Sequence, residues 1–120
     1  MTAHILAVDD SATMRDMVKD TLETGGYEVT LAEDGQDGLN KFQSGKFSLV
    51  IADVNMPVMD GITMIAEIRK LDEEIPIITL TTEAEESMKQ KGRAAGADGW
   101  IVKPFRPAQF LDIIKQILDN

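Results

Sequence analysis

The 120-residue chain is predicted to be an α/β protein with a doubly wound sheet of five parallel strands, each followed by a helix in a (βα)5 arrangement. One observation behind this prediction is that five short apolar runs alternate with five segments of helical periodicity. Another is that several runs are apolar at consecutive positions, which is typical of strands covered by helices on both faces. At this length we expect one domain over residues 1–120.

The strand candidates are short and rich in large aliphatic residues, and polar residues or glycines bound most of them. They span residues 5–8, 27–31, 49–52, 77–80 and 100–102. In sheets of this kind ligands bind beyond the carboxyl ends of the strands. The residues that directly follow these runs are therefore the first candidates for function.

The first and last helices both have apolar stripes, and the stripe of the last is unambiguous. The stripes consist of Met14, Met17, Val18 and Leu22 in the first helix and of Phe110, Ile113, Ile114, Ile117 and Leu118 in the last. The pair Gly25 and Gly26 is predicted to end the first helix, since glycine is the usual residue just beyond a helix C-terminus.

The three middle helices differ in their apolar content. The second is short, with Leu39 and Phe42 as its apolar residues, and the third has an apolar face and ends near Leu71. That face consists of Met64, Ile65 and Ile68. The fourth, roughly 84–95, has little apolar content beyond Met88 and two alanines, although Thr82 and Glu85 have the spacing of a capping box at its start. A helix with so few anchors is a candidate for movement or simply lies exposed.

Composition excludes several classes of protein. There is no cysteine, so disulfides and thiolate metal sites are absent, and the first residues lack the pattern of a signal peptide. No apolar run approaches the length of a membrane span. The net charge of −9 disfavours nucleic acid and anionic lipid as partners. We expect a cytoplasmic protein that is monomeric by default and carries no appended effector domain.

Three carboxylates and one lysine stand at the ends of separate apolar runs. Asp9 and Asp10 follow the first run, Asp53 follows the third and Lys103 follows the fifth. Because the carboxyl ends of parallel strands share one edge, these four side chains are expected to meet in one crevice. Clustered acids favour a divalent cation, and the lysine favours a phosphoryl group as a further ligand of that cation. A simpler interpretation, in which the aspartate pair only caps the first helix, also fits the pair taken alone.

The same residues support phosphate chemistry with magnesium. Asp10 and Asp53 offer two carboxylate ligands and a carbonyl near Asn55 a third oxygen, which suits Mg²⁺. A carboxylate is also able to act as a nucleophile and form an acyl phosphate. Lys103 would neutralise phosphoryl oxygens, and the hydroxyl of Thr81 would donate to them. The Lys103–Pro104 bond is a candidate cis peptide, because X-Pro bonds in tight turns adopt that form.

With these residues placed, four motifs make the whole chain resemble the receiver domains of two-component signalling, and most closely the single-domain chemotaxis regulators of the CheY family. The motifs are Val-Asp-Asp-Ser-Ala-Thr-Met-Arg at 8–15, Asp-Val-Asn-Met-Pro-Val-Met-Asp-Gly at 53–61, Leu-Thr-Thr-Glu-Ala at 80–84 and Gly-Trp-Ile-Val-Lys-Pro-Phe at 99–105. The resemblance implies the flavodoxin-like strand order 2-1-3-4-5, of which CheY is itself a standard example.

The resemblance also implies a role for each matching residue. The phosphorylated aspartate would be Asp53, and the Mg²⁺ ligands would be Asp10, Asp53 and the backbone carbonyl of Asn55, with Asp9 in support or bound through water. The switch residues would be Thr81 and Trp100, the phosphate-binding residue Lys103, and the residues that tune dephosphorylation Asn55 and Glu83. The implied phosphodonor is a sensor histidine kinase of the chemotaxis type.

In such a regulator, phosphorylation would draw Thr81 toward the phosphoryl group and let Trp100 turn inward, which remakes the face around helix 4, strand 5 and helix 5. That face would control a partner, either the flagellar switch or another target, and dephosphorylation, unaided or by a phosphatase, would reset it. The chain departs from motor-binding members at four places, which are Val54, Thr82, Trp100 and the acidic pair Glu85 and Glu86. Acidic residues there would repel an acidic target segment, so a phosphate sink remains the alternative output.

Other classes of function fit the residues less well. An aspartate-nucleophile phosphatase of the dehalogenase type would carry Asp-x-Asp after the first strand, whereas this chain has adjacent Asp9 and Asp10 followed by Ser11. A flavin carrier would need a phosphate loop where the two carboxylates stand. A binding-only pseudo-receiver would not need the complete set of site residues. We therefore expect no enzyme beyond one that catalyses its own phosphorylation and dephosphorylation.

Overall fold

The structure is a computed structural model that describes residues 2–119. Strands and helices alternate, in the order β1 (His4–Val8), α1 (Ala12–Thr24), β2 (Glu28–Ala32), α2 (Gly35–Ser44), β3 (Leu49–Ala52), α3 (Gly61–Leu71), β4 (Ile77–Thr81), α4 (Glu86–Ala95), β5 (Gly99–Val102) and α5 (Pro107–Leu118). All strand pairs are parallel and the order across the sheet is β2-β1-β3-β4-β5. The predicted fold and strand order are confirmed.

Each face of the sheet is covered by helices, so the core has two layers. On one side α1 and α5 cover the sheet, where Leu22 and Phe110 are buried. On the other side α3 supplies Met64, Ile65 and Ile68, and α2 adds half-buried residues. The central strands β3 and β4 are buried along their whole length, which explains their unbroken apolar sequence.

The strand ends differ from the predicted ones by one residue at several places. The fourth strand continues to Thr81 because Thr81 is paired with Val102 of β5. The first strand begins at His4, which is paired with Glu28 of β2. Pairing with a neighbouring strand sets these limits, and the local apolar pattern does not contain that information.

The first helix ends where the two glycines predict, with Gly25 as its C-cap and Gly26 at a φ of 92°. Its N-cap is Ser11, whose side chain accepts the backbone N–H of Met14. One residue of the predicted apolar stripe is not buried. Met17 is 46% exposed, because the part of the helix surface that the sheet covers is narrower than the apolar stripe.

The predicted capping box of the fourth helix is also wrong. The helix begins at Glu86, and its N-cap is Glu85, which makes no side-chain hydrogen bond to the helix. Its buried residue is Gly92. Its other end is held firmly, since Arg69 of α3 donates from Nε to the carbonyl of Gly96 at 3.0 Å. The predicted weakness of this helix thus lies at its N-terminal half.

None of the helices that the structure describes is long and apolar enough to span a membrane.

Candidate functional site

The predicted crevice is present at the carboxyl edge of the sheet. Asp9 follows β1, Asp53 follows β3 and Lys103 follows β5. Carboxylate oxygens of Asp9, Asp10 and Asp53 lie within 4.8 Å of one another. Asp9 and Asp53 are buried, at 5% and 7% exposure, whereas Asp10 is exposed. Side chains separated by up to 94 positions therefore meet in one cluster, as predicted.

Lys103 bridges the two buried carboxylates. Its Nζ lies 2.7 Å from Oδ2 of Asp9 and 3.0 Å from Oδ2 of Asp53. Burial lowers the pKa of Lys103, but the hydrogen bonds to Asp9 and Asp53 and their charges outweigh it, so the pKa is raised. Burial raises the pKa of Asp9 above 3.8, against the lowering effect of Lys103. The ammonium group supplies the positive charge that lets two carboxylates lie so close together.

The second oxygen of each buried carboxylate is held by the backbone. The N–H of Ser11 donates to Oδ1 of Asp9 at 2.9 Å, and the N–H of Val54 donates to Oδ1 of Asp53 at 2.7 Å. Both carboxylates are thus fixed at both oxygens. The helix-cap interpretation of the aspartate pair is wrong, because Ser11 itself performs that role.

The loop after β3 holds the Asp53 backbone in place. A side chain at Gly61 would collide with the carbonyl of Asp53, so only glycine lets the start of α3 lie this close. The carboxylate of Asp60 caps α3 by accepting the N–H of Thr63 at 2.8 Å. In the same loop, Val58 is 83% exposed and has a φ of 69°, a strained conformation for a β-branched residue.

Thr81 is fully buried at the end of β4 and is joined to the crevice through the main chain. The N–H of Lys103 donates to the carbonyl of Thr81 at 2.8 Å. The Thr81 hydroxyl accepts the N–H of Glu83 at 3.2 Å. The Lys103–Pro104 peptide is cis, as the sequence predicts. Thr81 therefore connects the lysine of the cluster with the loop that leads into α4.

Trp100 belongs to a second group of residues, on the α4 side. Its indole Nε1 donates to the carbonyl of Glu83 at 2.8 Å, and its ring lies half-buried against α4. Glu83 is thus held at its N–H by Thr81 and at its carbonyl by Trp100. Asn55 is exposed in the loop after β3, and its carbonyl stays a predicted ligand.

One contact of the site was missed from the sequence. Arg15, on the first turn and a half of α1, donates from Nη1 to the carbonyl of Asp9 at 2.7 Å. It stands in the first quoted motif, one helical turn after Ser11, so its position was available as a signal. The contact fixes the backbone that carries both Asp9 and Asp10.

The donor set fits a hard divalent cation. The three carboxylates offer oxygen ligands only, and at least one of them is open to solvent, which suits an ion that retains water ligands such as Mg²⁺. This fold and this set of site residues are those of receiver domains. Phosphoaspartate formation and Mg²⁺ binding at an acidic pocket are general properties of receiver domains.

Comparison with known proteins agrees with that class. The sequence model of the response regulator receiver domain matches residues 5–115, and the chain belongs to this family. It is 40% identical to the chemotaxis protein CheY of Bacillus subtilis over 99% of this chain and 100% of that protein. The structure of chemotaxis protein CheY4 of Vibrio cholerae is 45% identical, covers 98% of this chain and 100% of its own, and superposes with a TM-score of 0.94. The chain is a receiver-domain response regulator of the CheY type.

A third structure bears on the metal. The receiver domain of a sensor histidine kinase from Pseudomonas aeruginosa PAO1 is 27% identical over the whole of both chains, with a TM-score of 0.92. It is described with a magnesium ion coordinated in its active-site cleft.

Proposed function

We propose that this chain accepts a phosphoryl group on Asp53 from a chemotaxis-type sensor histidine kinase and then alters its α4–β5–α5 face to control a partner in the cytoplasm. The observation that carries the proposal is the buried pair Asp9 and Asp53 bridged by Lys103. A carboxylate that is fixed, buried and next to a lysine is prepared both for nucleophilic attack and for stabilising the charge it receives.

In the acceptance step a carboxylate oxygen of Asp53 attacks the phosphorus of a phosphohistidine. An O–P bond forms, the N–P bond breaks, and the bonding pair returns to the imidazole nitrogen. Oδ2 of Asp53 is the oxygen nearer Lys103, at 3.0 Å, so the ammonium group lies where phosphoryl oxygens would gather. Mg²⁺, held by Asp10, Asp53 and the Asn55 carbonyl with Asp9 in support, would neutralise further negative charge.

The signal would leave the site through the backbone of Glu83. If Thr81 rotates to donate to the phosphoryl group, its hydroxyl no longer accepts the N–H of Glu83. The same peptide segment carries the carbonyl that Trp100 binds. Loss of one of two contacts on that segment would change the balance between packings of α4 and β5, which is how a local charge event shifts a population.

Reset would occur by hydrolysis of the acyl phosphate, in which the chain catalyses only its own reaction. Asn55 stands two positions after Asp53 and Glu83 two positions after Thr81, and we propose that their side chains tune this rate. The acidic start of α4 carries Glu85 and Glu86, both exposed. We propose control of the flagellar switch as the output, supported by the named chemotaxis relatives, with a phosphate sink as the alternative that this acidic segment favours.

The phosphoacceptor is tested with acetyl phosphate and Mg²⁺. We expect the wild type to gain one phosphoryl group and Asp53→Asn to gain none, with its circular dichroism unchanged, because the variant keeps the fold but lacks the nucleophile. Intact-mass spectrometry measures the product. Asp16→Asn, an exposed residue of α1, is the matched control and should be labelled like the wild type. Equal labelling of Asp53→Asn would reject the assignment.

The output is tested with the N-terminal peptide of a flagellar switch protein. Binding is measured by Trp100 fluorescence with and without Mg²⁺ and beryllofluoride, which stands in for the phosphoryl group. Tighter binding in the activated protein supports motor control. A beryllofluoride response without peptide binding supports the phosphate sink or another target.

A further inference from the structure

The helix beside Trp100 contains a glycine where a helix former would be expected. Gly92 lies in the interior of α4 and is the buried residue of that helix. Glycine is the least favourable residue for a helix interior after proline, and α4 already lacks a side-chain N-cap bond. Glycine therefore makes the helix less stable at this position, and we look for a contact that only glycine allows.

That contact is the packing of the indole ring of Trp100 against Gly92. A Cβ atom at position 92 would lie 2.5 Å from Cζ3 and 3.1 Å from Cε3 of Trp100. The three nearest atoms to that Cβ all belong to the six-membered part of the indole. The φ angle of Gly92 is not among the positive ones, so backbone conformation gives no reason for glycine here. Space for the ring is the reason that remains.

The same ring placement sets the hydrogen bond to the β4–α4 segment. With its six-membered ring against Gly92, the indole directs Nε1 at the carbonyl of Glu83, 2.8 Å away. A ring displaced outward by a methyl group at position 92 cannot keep both contacts. The lack of a side chain at Gly92 therefore determines whether Trp100 of β5 keeps its hydrogen bond to Glu83. Glu83 is also the residue whose N–H donates to the hydroxyl of Thr81.

We propose that Gly92 is a positioning residue for Trp100: it forms the notch in α4 that seats the indole and so sets the Nε1 bond to Glu83. Gly92 and Trp100 act as a pair, in which the small residue allows the large one to couple β5 with the loop after β4.

The proposal is tested first in the protein alone, with Gly92→Ala. Since the chain has one tryptophan, indole signals report on Trp100 directly. We expect the Nε1 proton resonance to shift and lose its protection from solvent exchange, the fluorescence emission to move to the red, and acrylamide quenching to increase. Gln90→Ala, an exposed change on the same helix, should leave all three unchanged. Unchanged indole signals in Gly92→Ala would overturn the proposal.

A rescue experiment separates positioning from helix propensity. In the wild-type background we expect Gly92→Ala to lower the thermal midpoint, because the indole is displaced. Combined with Trp100→Phe, whose ring is shorter, the same change should raise the midpoint, because alanine is the better helix former and nothing is displaced. An increase of equal size in both backgrounds contradicts a role in seating Trp100.

The consequence for signalling rests on the proposed function and is measured separately. We expect Gly92→Ala to be labelled by acetyl phosphate like the wild type, while its Trp100 fluorescence response to Mg²⁺ and beryllofluoride is lost or reduced. A full wild-type response in Gly92→Ala counts against the pair as a coupling element. If the wild type itself shows neither labelling nor response, the proposed function fails, and the indole signals of the resting protein still decide the role of Gly92.

Discussion

The carboxylate crevice and the face formed by α4 and β5 are built in opposite ways. In the crevice, each buried carboxylate is bonded at both oxygens, by Lys103 and by a backbone N–H. On the other face, α4 begins without a side-chain cap bond and β5 is an edge strand with no fully buried residue. The first region has its polar groups fixed, and the second has few contacts that hold it in one arrangement.

The difference matches what the proposed function requires of the two regions. Phosphoryl transfer depends on positioning and on charge neutralisation, so its residues are best held rigidly. A switch needs a second packing close in free energy to the first, which requires few buried contacts in the moving part. The two regions are joined where the backbone N–H of Lys103 donates to the carbonyl of Thr81, which would give the proposed signal a short path.

The largest effect is expected when the crevice loses its bridging cation. Lys103→Ala leaves the buried carboxylates of Asp9 and Asp53 with their backbone N–H donors but with no cation between them, and we expect the free energy of unfolding to fall by roughly 3 kcal/mol without Mg²⁺. Mg²⁺ should restore part of it, because a cation again separates the carboxylates. Urea denaturation with and without Mg²⁺ measures both values, and Lys46→Ala, an exposed loop change, is the control.

The same variant tests the link between the two regions. We expect Lys103→Ala to accept some phosphoryl group from acetyl phosphate while the accompanying change in Trp100 fluorescence disappears. Full retention of that change would reject Lys103 as the element that couples the crevice to the α4 face.

The next largest effect is expected at the C-terminal end of α4, which Arg69 holds and which differs in this from the N-terminal end without a side-chain cap. Arg69 is 16% exposed and donates to the carbonyls of Asp72, Ile75 and Gly96 and to the carboxylate of Asp98. Arg69→Ala leaves several of these acceptors unpaired, so we expect a loss of roughly 2 kcal/mol and faster amide exchange at the C-terminal end of α4.

The neighbouring Lys70→Ala is the control for this prediction. Lys70 pairs with Glu67 on the surface, and such pairs contribute about 0.5 kcal/mol or less. Wild-type stability in Arg69→Ala would mean that α4 is loosely held at both ends, and the contrast within this helix would disappear.

A pH series tests whether the buried negative charge of Asp9 lowers the free energy of unfolding. The pKa of Asp9 is raised above 3.8 by burial, so the folded chain binds this proton more tightly, and stability linked to Asp9 is lost as pH rises through the folded pKa. We expect Asp9→Asn to gain stability over the wild type most at neutral pH, and this gain to shrink as pH falls toward 3.8. Urea denaturation in EDTA at a series of pH values measures the gain; a gain independent of pH contradicts the prediction.

The smallest effect concerns the strand between the two regions. Among the described residues, Thr79 carries the buried side-chain oxygen that has no hydrogen-bond partner, on β4 between Ala52 and Trp100. Thr79→Val keeps the shape and removes the unpaired hydroxyl, so we expect a gain of about 1 kcal/mol in thermal or urea unfolding. Thr81→Val, which removes a hydroxyl that has a partner, should give no gain. A loss of stability in Thr79→Val would mean that this hydroxyl is bonded in solution.

Much of the crevice was predictable because its charged residues directly follow the ends of strands. A polar residue that directly follows a buried run reaches the carboxyl edge whatever the details of packing, which is why Asp9, Asp53 and Lys103 meet as expected. The α4 side was predicted less well. The capping box at Thr82 is wrong, and Met17 of the predicted apolar stripe is exposed, because spacing alone does not show which part of a helix its neighbours cover.

The sequence by itself determined the alternation of strands and helices, the parallel sheet and the gathering of acids and lysine at one edge, since each depends on a local pattern of apolar and polar residues. Only the tertiary structure decided that Arg69 holds the end of α4, that Gly92 seats Trp100 and that Glu83 is bonded from both sides. These contacts join elements that are distant in sequence, and their geometry depends on how helices and strands come to rest against each other.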